Sequence, residues 1–110
     1  MTELPYKSLD VPAEWDRRGL PAWTYRSEAL FDLEKHSVFL NHWQIVGHEN
    51  DIPAPGNWLS FDMLGERAVI MRGADSKVRA FHNLCRHRGA RVVDGDKGHC
   101  KGAIVCPFHG

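Results

Sequence analysis

The sequence has no long apolar run, no excess charge of either sign, no low-complexity tract and only three cysteines in 110 residues. Each shortage removes a class of protein. Without a run of about 18 or more apolar residues there is no transmembrane helix. The start, "MTELPYKSLDVPAEW", lacks the apolar core of a secretory signal, and no apolar run follows the pair Arg17 and Arg18 to make a twin-arginine export signal. The expectation is a cytoplasmic protein with no membrane partner. Fourteen basic residues balance fourteen acidic ones, which gives no support for a nucleic-acid partner. Three is an odd number of cysteines, so a closed disulfide framework is not expected. In a reducing compartment, clustered cysteine and histidine more often bind metal or act in catalysis.

What is present divides near residue 40. Residues 1–25 scatter Pro5, Pro12 and Pro21 among Tyr6, Trp15, Trp23 and Tyr25, which reads as an irregular arm. Ser27 is placed to cap a helix, and Glu28 suits the positive end of its dipole. Leu30, Phe31 and Leu33 give "EALFDLEKHSVFL" an apolar stripe at helical spacing, as on a helix covering a core. After Asn41 the pattern shortens to strands: 43–47, 57–63, 68–72, 78–83 and 102–106, with turns or loops between them. Leu59, Phe61 and Met63 share one face of the second of these, and Trp43 and Trp58 are expected in the core. The expected organisation is an arm and helix over 1–40 and a mainly β, antiparallel sandwich or small barrel over 41–110. A chain this short buries a limited fraction of its surface, so a metal clamp would help it.

Two short motifs carry the chemistry. Cys85 is followed at the second position by His87, and Cys106 at the third position by His109, with eighteen residues between the motifs. Each follows an apolar run and so belongs in a loop leaving a strand. Alternate residues of an extended chain point the same way, so each loop can present sulfur and nitrogen side by side. Zinc accepts two cysteines and two histidines. Zinc fingers, however, put both cysteines on one arm and both histidines on the other, whereas here each arm is mixed. Mixed arms suit two metals, one taking both sulfurs and the other both nitrogens, as when two histidines replace two cysteines on one iron of a [2Fe–2S] cluster. With a cluster core of about +2, four thiolates leave a net charge of about −2, while two thiolates and two neutral imidazoles leave about zero. A less negative site accepts an electron more readily.

"CRHRGA" and "CPFHG" at this separation resemble the cluster-binding pattern of Rieske non-haem iron oxygenases of the aromatic-ring-hydroxylating type. The likeness is to the N-terminal part of their large, or alpha, subunit, and "SEALFDLEKHSVFLNHWQIVG" is similar to the helix and first strand before the cluster domain there. The resemblance implies a Rieske-type [2Fe–2S] cluster, with Cys85 and Cys106 on one iron and His87 and His109 on the other. It implies an electron relay to a mononuclear Fe(II), which uses O2 to hydroxylate or dealkylate a small organic substrate. It further implies a ferredoxin or flavin reductase as electron donor and a homo-trimer or larger assembly. The mononuclear-iron domain has no counterpart in these 110 residues, and the sequence stops one residue after His109, so a piece of a longer subunit is expected. Respiratory Rieske proteins carry an extra cysteine in each loop. Ala90 and Phe108 stand at those places here, which favours the oxygenase or ferredoxin branch. A free-standing Rieske ferredoxin and a zinc-binding module are the alternatives; the helix and proline-rich arm speak against the first.

The remaining candidates have plainer readings. Cys100 falls outside both motifs and is expected to be a structural thiol. Arg86, Arg88 and Arg91 are expected to steady the first loop and face solvent or a neighbouring subunit. His36, His42, His48, His82 and His99 have no cysteine at matching spacing and are not expected as ligands.

Overall fold

A short 3-10 helix, Ala22–Tyr25, precedes an α-helix that Ser27 caps, as its place in the sequence predicts. In the computed structural model, which describes residues 19–110, its Oγ accepts the backbone N–H of Leu30 at 3.1 Å. That bond satisfies one of the donors that every helix start leaves open. The helix α1 runs Glu28–Glu34 and continues as a π-helical turn, Lys35–Phe39, closed by the Leu40 N–H on the Lys35 carbonyl. Among the described residues no helix is long and apolar enough to cross a membrane. Pro5, Tyr6, Pro12 and Trp15 of the expected arm lie outside the described residues, as do Arg17 and Arg18.

The chain resolves into two compact units, one ending at Gln44 and the other spanning Ile45–Gly110. The second is mainly β: a four-stranded antiparallel sheet of β1 (Asn57–Met63), β2 (Glu66–Arg72), β3 (Val78–His82) and β4 (Lys97–His99). The strand order is β3-β2-β1-β4, so β3 and β4 form the two edges. β1 and β2 make a hairpin in which Met63 opposes Glu66. Its two turn residues, Leu64 and Gly65, both have positive φ, the turn geometry whose twist matches that of paired strands. β2 and β3 join through residues 73–77, where the Asp75 carboxylate accepts from the Lys77 N–H and from both terminal nitrogens of Arg79.

Both faces of the sheet are apolar at the centre. On one, Leu59 and Ile70 pack with Ile52, with Phe61 and Ala68 beside them. On the other, Trp58 and Val69 pack with Val93, joined by Met71, Cys100 and Ile104. Each fully buried aliphatic side chain contributes about 1.5–3 kcal/mol relative to exposure. The long connection from β3 to β4 crosses this second face. Val93 is its apolar plug, and the N–H and Oγ of Ser60 in β1 donate to the carbonyls of Asp96 and Gly95.

Three sequence expectations are corrected. Among the described residues, 43–47 pair with no strand; the side chains of His42 and Gln44 bond back to the carbonyls of Val38 and Phe39. Trp43 is consequently not in the core but fully exposed. Residues 102–106 are likewise not a strand, because Gly102 at φ +83° bends the backbone there. The last strand forms earlier, at Lys97–His99, where Gly98 faces Trp58 across the ladder. A Cβ at Gly98 would overlap the Trp58 indole, so only glycine lets β4 close on β1 at this register.

Candidate metal centre

The two motif-bearing loops leave the two edge strands of one sheet. The first follows β3 and the second follows β4. Each is closed by the same backbone turn. The Gly89 N–H donates to the Cys85 carbonyl at 2.9 Å, and the Gly110 N–H donates to the Cys106 carbonyl at 3.0 Å. Both glycines are left-handed, at φ +75° and +82°. This is the conformation glycine adopts without steric cost, and it ends each turn one residue or two after the histidine. The first loop is tied again by the Cys85 N–H on the Ala90 carbonyl at 2.7 Å.

These turns bring the four motif side chains together as two like pairs. The imidazoles of His87 and His109 meet edge-on, with centroids 5.1 Å apart and planes at 68°. The Cys106 side chain comes close enough to Cys85 to help lower the pKa of its thiol. The Cys85 thiol is held below its ordinary pKa, first by the backbone N–H of His87 and then by the Cys106 side chain. Partial burial opposes this, and the Arg88 N–H adds to it. N–H groups aimed at a sulfur favour its thiolate, the form that binds metal. Among the described residues no three His, Cys, Asp or Glu side chains are grouped to hold a single ion. Both cysteines are half-buried, while His87 and His109 are exposed.

The other candidates are placed as follows. The Arg91 guanidinium donates to the Asp62 carboxylate at 2.6 Å and so ties the end of the first loop to β1. Arg86 and Arg88 are exposed. Cys100 packs in the Trp58–Val69–Val93 cluster, with its Sγ 3.6 Å from the Gly56 carbonyl oxygen. His42 and His48 hydrogen-bond to nearby backbone, His99 lies beside the Asn57 amide, and His36 faces Asp32. One residue escaped sequence reasoning. Asn83, two residues before Cys85, is completely buried. Nothing in "HNLC" distinguishes it from a solvated polar residue at a strand end.

Residues 42–110 match the model of the Rieske [2Fe-2S] domain family. The chain belongs to this family. Its Rieske domain is similar to that of the carnitine monooxygenase oxygenase subunit of Acinetobacter baumannii, at 39% identity over 93 residues, covering 80% of this chain and 25% of the relative. It is also similar to the large oxygenase component of the 2,4-dinitrotoluene dioxygenase system of Burkholderia sp., at 38% over 86 residues, covering 78% of this chain and 19% of the relative. Among solved structures, a quaternary ammonium Rieske monooxygenase in complex with gamma-butyrobetaine superposes with a TM-score of 0.76 at 37% identity, covering 82% of this chain and 26% of that one. The chain thus spans a quarter or less of the length of the curated relatives it matches. The donor set suits the group that defines the family: two thiols and two neighbouring imidazoles, Cys85, Cys106, His87 and His109, are the residues that would hold a [2Fe–2S] cluster, with a like pair for each iron.

Proposed function

We propose that this chain is the electron-relay portion of a terminal oxygenase subunit, with Cys85 and Cys106 holding one iron of the cluster and His87 and His109 the other. The observation that carries this reading is the sorting of donors by element, sulfur beside sulfur and imidazole beside imidazole, from loops on opposite sheet edges. When bound, such a cluster supplies a one-electron store at a potential raised by its neutral ligands. The chain's own residues do the rest. The N–H groups of His87 and Arg88 stabilise negative charge on the Cys85 sulfur. The half-buried cysteines sit deeper than the exposed imidazoles, so the histidine side is the side a partner meets.

The surface beside that pair has a definite character. Leu84, Val105 and Phe108 expose apolar area, and Arg86 and Arg88 add positive charge. It fits an acidic electron-transfer protein, a ferredoxin or flavin reductase, as donor. The acceptor in this reading is a mononuclear iron held by the parent subunit outside these residues, in a homo-oligomer. The reaction there is O2-dependent hydroxylation or dealkylation of a small organic substrate. Near-equal identity to a carnitine monooxygenase and a dinitrotoluene dioxygenase supports a choice of substrate made outside this domain. The alignment of oxygenase subunits over about 80% of the chain favours this reading over a free-standing carrier.

Metal analysis after anaerobic purification tests the proposal. The expected result is a red-brown protein with about two iron and two acid-labile sulfide per chain, and a reduced-state EPR signal of mixed N/S ligation. A colourless protein with one zinc would overturn it.

A further inference from the structure

The geometry points to Asn83 as a positioning residue that locks the first loop, so that Cys85 and His87 are preset before the second loop closes on them. This rests on the cluster reading above. Asn83 immediately follows β3, and no part of it reaches solvent. Burying a primary amide is unfavourable unless its donor and acceptor are matched, and here both are. Its Oδ1 accepts from the N–H groups of Val92 at 2.9 Å and Val93 at 3.1 Å, and its Nδ2 donates to the Val93 carbonyl at 3.0 Å. Its own N–H donates to the Arg67 carbonyl in β2 at 2.9 Å.

The effect is to join the two ends of one loop. Residues 84–91 leave from Asn83 and return to Val92 and Val93, so a single amide clasps the segment that carries Cys85 and His87. The clasp is anchored at depth, because the Val93 side chain packs against Trp58 and Val69. The Arg91–Asp62 ion pair and the Cys85–Ala90 bond complete the same loop from outside and inside. The second loop has a different support. Ile104 packs beside the core cluster, and the Gly110–Cys106 bond closes its turn. No buried side-chain amide spans its two ends among the described residues. The first loop is therefore held at both ends by a buried side chain and the second is not, an arrangement in which the first loop sets where the metal sits.

The test uses the full-length protein carrying its cluster and compares three variants. Asn83→Ala removes all three side-chain bonds. Asn83→Ser keeps a hydroxyl too short to reach all three partners, and it carries the test should the alanine variant not fold. Ile52→Ala is the control: it weakens the core on the opposite face of the sheet and touches neither Asn83 nor its partners. The readouts are the g-values of the reduced cluster and the rate of visible bleaching by an iron chelator, at a temperature where far-UV circular dichroism shows every sample folded. In the Asn83 variants the g-values should shift and bleaching should be faster by about tenfold or more, the usual cost of losing a group that orients metal ligands. Ile52→Ala should keep wild-type g-values despite a lower melting temperature. Wild-type g-values in Asn83→Ser, with bleaching no faster than in Ile52→Ala, would overturn the assignment. Absence of iron and sulfide from the wild-type protein would instead overturn the cluster reading on which it rests.

Discussion

His87 and His109 are separated by twenty-one residues, yet their rings meet edge-on with centroids 5.1 Å apart. Nothing in either motif brings one ring to the other. The two loops start from β3 and β4, at opposite edges of the sheet, and converge over the face packed by Trp58, Val69 and Val93. The histidine pair is a product of the sheet order, and it makes the ligand assignment open to direct tests.

Replacing His87 or His109 by cysteine exchanges a neutral donor for a thiolate. In a variant that still assembles its cluster, the midpoint potential should fall by a few hundred millivolts, toward the value of about −400 mV for all-cysteine ligation. Redox titration followed by EPR measures it. An unchanged potential would mean that the altered histidine is not a ligand.

Cys100 and Cys106 are six residues apart but should behave oppositely. Cys100 lies in the apolar cluster with its Sγ directed at the Gly56 carbonyl, a contact that serine can reproduce. Cys100→Ser should keep wild-type iron content and visible spectrum and lose about 1 kcal/mol of stability or less. Cys106→Ser should lose the cluster. The opposite pattern in iron analysis would exchange their roles.

Gly98 and Trp58 set the stability of the β1–β4 pairing. Gly98→Ala drives a methyl group into the indole and should cost about 1–3 kcal/mol, the range for overpacking a filled site. Denaturant midpoints measure it. The same substitution placed on a Trp58→Phe background should cost less, because the overlapped ring atoms are gone, and additive costs in the double-mutant cycle would contradict the contact.

Acid should act on the β2–β3 turn in a defined window. The Arg79 guanidinium, and then the Lys77 N–H, hold the Asp75 carboxyl down to about 2 from its ordinary 3.8. A depressed carboxylate contributes stability that is fully present above its unfolded value and is lost as pH falls through its folded one. The contribution of this turn is therefore present above about pH 4 and is lost on approach to pH 2. Carboxyl-carbon NMR should place the Asp75 midpoint near 2 in the wild type and closer to 3.8 in Arg79→Met. A wild-type midpoint already near 3.8 would contradict the ion pair.

Much of this protein was legible before any coordinates. The Ser27 cap, the β1–β2 hairpin, the β3 strand and the mainly β character all follow from local signals, because caps, turns and period-two alternation involve residues close in sequence; the turn expected over 64–67 is shorter, Leu64–Gly65, and β2 begins at Glu66 instead of 68. The family resemblance rested on the two motifs, and the match over residues 42–110 agrees with it. The strands expected at 43–47 and 102–106 had suitable composition, but a strand exists only where another offers its ladder. β1 found its partner at Lys97–His99 because Gly98 clears the Trp58 ring.

The sequence by itself determined which donors are available, in which order and in which two loops, because residue type and spacing are written along the chain. Only the tertiary structure decided how those donors pair. Sulfur meets sulfur and imidazole meets imidazole because two edge strands of one sheet send their loops over the same face. It also decided that Asn83 is interior. Burial of a polar side chain depends on partners ten residues away, Val93 among them, and no local pattern records whether those partners are in place.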